Sequence, residues 1–118
     1  MIGFLVDPYK QEITEVDVED GLQSMYKHIQ ADCVDAAYLG DSDDVWVDDE
    51  GLLNVSNETR LFGFPTYRNA LAGYGLILGT NSEGESVEPH RPIEYYRENV
   101  RFLKPADLLL NSIINARE

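Results

Sequence analysis

Residues 41–50 read DSDDVWVDDE and place six carboxylates, Asp41, Asp43, Asp44, Asp48, Asp49 and Glu50, in ten residues without a base. Hard oxygen donors at this density are the raw material of a divalent-cation site. An EF-hand loop needs ligands at positions 1, 3 and 5, glycine at 6 and glutamate at 12. Counted from Asp41, positions 5, 6 and 12 are Val45, Trp46 and Leu52, so the register fails. A looser site at Asp48 and Glu50 stands against the plainer reading of a solvated turn. Paired carboxylates also serve acid–base catalysis when burial raises the pKa of one of them. Carboxylates in a wet turn lack that environment. Cys33 falls on an expected strand with no obvious histidine partner, and His28 and His90 have no metal-ligand spacing. We therefore expect no catalytic residue, no bound metal and no cofactor.

The glycines of LAGYGLILGT, Gly73, Gly75 and Gly79, raise a second chemistry, since backbone amides at glycines can cradle a nucleotide. A dinucleotide fingerprint follows a strand and opens a helix. Here the glycines border the strand-like Leu76-Ile77-Leu78, and there is no Walker lysine motif. A small-ligand or nucleotide site at Gly73, Gly75 and Gly79 is the alternative to protein binding. Tight turns and close sheet packing are the structural explanation of the same glycines.

The elements that must position these groups follow from periodicity. Residues 2–6, IGFLV, read as a strand stopped by Asp7-Pro8, and 12–18, EITEVDV, as its hairpin partner, with Thr14, Val16 and Val18 on one face. Leu22, Met25, Tyr26 and Ile29 have the i, i+3, i+4, i+7 spacing of an amphipathic helix with Asp20 as N-cap. Residues 33–39 and 44–48 form two further strands joined by Gly40-Asp41-Ser42-Asp43. Residues 53–69 read as irregular, 75–79 as a core strand and 80–86 as a turn. Pro92 opens a helix to Val100 with Ile93, Tyr96 and Val100 inward, and Pro105 opens another with Ala106, Leu109, Leu110 and Ile113 as its stripe. The fold class expected is α+β, a small, mainly antiparallel sheet with two or three packed helices, in a single domain spanning residues 1–118.

In a strand over 44–48 the side chains alternate. Val45, Val47 and Asp49 share one face, and Asp44, Trp46 and Asp48 the other. Two valines belong in the core, which puts Trp46 on the outer face between aspartates. Either another segment, such as 60–69, covers the indole, or it stands within an acidic rim as an anchor for a partner.

The net charge is −13, and residues 1–58 hold 15 of the 22 acids but only Lys10 and Lys27 of the nine bases. Such a surface repels nucleic acid and anionic membranes and attracts basic partners. Apolar runs are far shorter than the ~20 residues of a membrane span. The first residues lack a basic leader, and the single cysteine fits a reducing cytoplasm. Six carboxylates over a strand and its turns give about one charge per 3 Å, against one per ~1.7 Å of duplex axis. A face of that density can imitate a nucleic-acid backbone in a basic groove.

LVDPYKQEITEVDV, VWVDDEGLLN, LAGYGLILGTNSEGES and VRFL resemble, in that order, an uncharacterised family of small acidic proteins catalogued as a domain of unknown function and common in bacteriophages and bacterial mobile elements. The resemblance spans about residues 3–103, with VDDEGLL and LAG-x-GL-x-LGT-x-x-EGES its most specific parts. Tyr74 stands where a lysine or arginine is expected. The resemblance implies no reaction and no catalytic residues. It implies an accessory protein acting in the cytoplasm of a bacterial host, with residues 105–118 a helical extension that can support a homodimer. The function expected is non-enzymatic binding of a basic host or defence protein, as an inhibitor or DNA mimic, through Asp44, Trp46, Asp48, Asp49 and Glu50.

Overall fold

The computed structural model describes residues 1–19 and 21–107, apart from the side chains of Leu22 and Asn54. The chain opens with an antiparallel hairpin, β1 (Ile2–Asp7) and β2 (Glu12–Asp17). Asp7 makes the turn: its buried carboxylate accepts the Tyr9 and Lys10 N–H groups at 3.0 and 3.1 Å. Helix α1 (Leu22–Ile29) buries Met25 and Ile29, two residues of the expected stripe. It ends at Gln30, whose left-handed backbone donates to the Tyr26 carbonyl at 2.8 Å. The N-cap expected at Asp20 lies outside the described residues.

β3 (Val34–Gly40) and β4 (Asp43–Asp48) form the second hairpin. Its two connecting residues, Asp41 and Ser42, both have positive φ, at 50° and 61°, the backbone of a turn that matches the twist of the flanking strands. A 3-10 turn (Gly51–Asn54) follows. The segment expected to be irregular then forms β5 (Leu61–Phe64) and β6 (Tyr67–Ala72). Every β5 residue is buried, so it has no polar face and no alternation to read. β7 (Gly75–Thr80) and the short β8 (Ser86–Val87) precede helix α2 (Ile93–Asn99) and β9 (Arg101–Leu103). Val100, expected inside that helix, ends it in extended conformation with its N–H on the Tyr96 carbonyl.

Two antiparallel sheets result. The larger runs β2-β1-β7-β4-β3, with β8 paired to β7, and the smaller runs β6-β5-β9. This is a small α+β fold. One face of the larger sheet, with Phe4, Val6, Ala37, Val45, Val47 and Ile77, packs against Phe62, Phe64 and Leu71 of the smaller sheet and Ile93 and Tyr96 of α2. The other face packs Leu76, Leu78 and Val18 under Met25 and Ile29 of α1. Each fully buried aliphatic or aromatic side chain contributes about 1.5–3 kcal/mol, so covering both faces makes β7 the centre of the molecule. No helix among the described residues is long and apolar enough to cross a membrane. Residues 105–107 begin a helical turn with Ala106 exposed, and the rest of the expected terminal helix, with its dimer contact, lies outside the described residues.

Candidate functional site

The β3–β4 hairpin positions the acidic stretch. Register with β3 pairs Val34 with Asp48, Ala36 with Trp46, and Tyr38 with Asp44, so all six side chains rise on the α1 side of the sheet. Val45 and Val47 turn into the opposite core, 0% and 7% exposed. α1 lies over β7 and β4. Trp46 is accordingly partly buried and packs on the cluster beneath that helix, so its cover comes from the α1 side of the sheet. Beyond the helix, Ala36 is exposed and Tyr38 is 60% exposed, leaving the β3 side of this face open.

The six carboxylates separate into three groups. Asp44, Asp48, Asp49 and Glu50 have no ion-pair partner among the described residues. The Thr80 hydroxyl donates to Asp44 at 2.9 Å, and the Glu50 N–H to Asp48 at 3.0 Å, which orients both carboxylates. Asp49 and Glu50 are exposed in the turn beyond the strand. Asp41 is held by Arg91, whose Nε donates to it at 2.7 Å while its guanidinium lies 4.4 Å from the Tyr95 ring centroid. That hydrogen bond, first among the causes, raises the Arg91 pKa above its ordinary value.

Asp43 is the third group by itself. It shares the valine face and is 0% exposed. One carboxylate oxygen accepts the His90 N–H at 2.8 Å and His90 Nδ1–H at 3.0 Å; the other accepts the Arg91 N–H at 3.1 Å and the Tyr96 hydroxyl at 2.5 Å. Four donors replace the water a buried carboxylate loses. Because Nδ1 donates, the His90 Nε2 of the neutral ring carries the lone pair. Burial, and then the bond to Asp43, push the Tyr96 hydroxyl pKa far above its ordinary value. The network ties the segment before α2 to β4. Sequence reading counted Asp43 with the surface acids, although its parity with Val45 and Val47 was the signal of burial.

Two adjoining clefts of about 230 and 520 Å³ share Gln30, Asp48 and Glu50. The smaller also meets Gly73, so one residue of the alternative glycine site lies beside the acidic turn. The other two are elsewhere. A Cβ on Gly75 would sit 2.5 Å from Phe62 Cζ, and one on Gly79 2.5 Å from the Glu88 carbonyl oxygen. Both are places where neighbours approach too closely for a side chain. Phosphates would meet Asp48 and Glu50 at Gly73 and be repelled. No three His, Cys, Asp or Glu side chains assemble as a metal site among the described residues. Cys33 is exposed just before β3, and His28 Nε2 donates to the Asp17 carbonyl at 3.1 Å.

The hairpin face thus presents an aromatic between two oriented carboxylates. The chain belongs to the family described as Domain of unknown function (DUF3846), whose model matches residues 1–101. Among curated proteins and solved structures, none matches the chain.

Proposed function

We propose that the protein works by binding, without chemistry of its own, and that its partner is a basic protein. Asp44, Trp46, Asp48, Asp49 and Glu50 make the contact. The observation that carries this reading is that Asp44 and Asp48, without a cationic partner among the described residues, flank one partly covered indole, with the equally unpaired Asp49 and Glu50 exposed in the turn that follows. Carboxylates so placed steer a cationic surface toward the face and fix its register, and an aromatic at the centre supplies the apolar contact that most often dominates such interfaces. The likeness to proteins common in bacteriophages makes the partner a host or defence protein met in the bacterial cytoplasm, and the protein an inhibitor. With Asp41 paired and Asp43 buried, the free charges are fewer than six, and Trp46 stands where a duplex would continue its phosphates. A basic protein groove with room for an aromatic edge therefore suits the face better than one shaped only for DNA.

The test is affinity capture from bacterial lysate while salt rises from about 50 to 500 mM, since screening removes exposed charge attraction over that range. Asp49 and Glu50 carry no side-chain hydrogen bond among the described residues, so Asp49→Lys with Glu50→Lys reverses charge without breaking the turn. The wild-type protein retains a basic partner that elutes as salt rises, and the reversed variant retains none. Capture that survives both high salt and reversal refutes the reading.

A further inference from the structure

The larger sheet has two edges, and they are treated differently. At β2 the outward Ile13 carbonyl accepts Arg97 Nε at 3.0 Å, and α2 packs alongside. At β3 the Asp49 N–H donates to the Cys33 carbonyl at 3.2 Å, which makes the odd-numbered residues of β3 those that bond to β4. Val34, Ala36 and Tyr38 therefore turn their N–H and C=O groups outward. Among the described residues the Ala36 N–H finds only the neighbouring Asp35 carboxylate, at 2.9 Å. The strand VDAAYLG contains neither lysine nor proline, two of the usual guards of an open edge, and its register shift lies between Tyr38 and Gly40, past Ala36.

The side chains at this edge have a matching shape. Ala36 and Trp46 form a pair without mutual backbone bonds, the geometry that brings side chains closest. A strand added outside β3 would lie ~5 Å from Ala36 and ~10 Å from Trp46. Its residue opposite Ala36 would point to the same face, where the alanine methyl leaves the way to the indole clear. A lysine or arginine side chain bridges roughly 6 Å and brings its cation to the indole. Asp44 and Asp48 flank that position at ~6.6 Å on either side.

We propose that the free edge of β3 receives an extended, arginine- or lysine-bearing segment of the partner as an added strand, its cation crossing Ala36 to lie at Trp46 between Asp44 and Asp48. This rests on the binding reading above and supplies its mode and side-chain chemistry. Backbone bonds give the segment its hold, with its carbonyl replacing Asp35 at the Ala36 N–H, and the aromatic and the two carboxylates select the cation. A second copy of this chain is the wrong occupant, because its β3, VDAAYLG, carries no lysine or arginine to set at Trp46 between Asp44 and Asp48.

The probe is an eight-residue peptide of alternating arginine and valine, followed by calorimetry and by the emission of Trp46, the single tryptophan. Controls are the same peptide N-methylated on alternate residues and a peptide with glutamate for arginine. Ala36→Pro removes one outward N–H that β4 does not use, and Ala36→Val keeps a strand-favouring residue while narrowing the route to Trp46. The arginine peptide binds and shifts the Trp46 emission, the glutamate peptide does not bind, and N-methylation and each variant weaken binding about tenfold or more, the loss of one to two hydrogen bonds or of the cation contact. No binding of the arginine peptide overturns the proposal, and so does equal binding by the N-methylated peptide and both variants with unchanged emission. Charge-sensitive lysate capture alongside either result would leave the acidic-face reading standing while strand addition fell.

Discussion

Asp43→Asn changes one atom in the centre of the network, and its consequence can be worked through donor by donor. If the new amide NH₂ takes the place of the oxygen facing His90, the imidazole can switch tautomer and accept from it, but the His90 backbone N–H then faces a donor. If it faces Tyr96 and Arg91 instead, the hydroxyl can rotate to accept, and the Arg91 N–H is orphaned. Either way one part-buried N–H loses its acceptor, at up to about 1–3 kcal/mol, and the other bonds fall from charge-assisted to neutral strength. We expect a loss of about 3 kcal/mol, which for a chain of this size lowers Tm by roughly 12 °C. Tyr96→Phe leaves the carboxylate three donors and is the smaller perturbation, about 1.5–3 kcal/mol. The double variant falls short of the sum of the singles, because the hydroxyl has less to lose once the charge is gone. Thermal and urea denaturation of the four proteins measure this. A Tm for Asp43→Asn within about 2 °C of wild type, or strict additivity in the cycle, would refute the claim that this carboxylate ties α2 to β4.

Tyr96 should make the protein sensitive to alkali: its folded pKa is raised above the ordinary value of 10.0, so its contribution is complete below about pH 10 and is lost as pH rises further. Melting curves between pH 8 and 11 should show that decline and Tyr96→Phe should flatten it; equal slopes would contradict the assignment. Gly75→Ala forces a Cβ to 2.5 Å from Phe62 and 2.8 Å from Val45, both fully buried, and should destabilise by about 1–3 kcal/mol, whereas Gly63→Ala meets nothing within 4 Å and serves as the control in the same denaturation assay. Cys33, exposed before β3, should react with a thiol reagent such as dithionitrobenzoate in native buffer at a rate close to that of a free thiol, and labelling only after unfolding would show it to be covered.

Much of the local architecture was legible. The Asp7-Pro8 turn, the α1 stripe and the alternation of β4 depend only on residues a few positions apart, so the pattern sent Val45 and Val47 inward and Asp44, Trp46 and Asp48 to the opposite face. The smaller sheet was not legible: β5 is buried throughout and β9 has three residues, which leaves no period to detect.

By itself the amino-acid order determined the acidic surplus, the β1–β2 and β3–β4 hairpins and the face on which each β4 side chain lies, because charge is a sum and the pleat repeats every two residues. Tertiary structure alone decided what each carboxylate does. Asp43 is silent to solvent because His90 and Tyr96 reach it from 47 and 53 residues away, and Asp41 is neutralised by Arg91 from 50 residues away. The open edge of β3 was equally undetermined until strand order placed it last in the sheet, since whether a backbone group finds a partner depends on which distant segment folds against it.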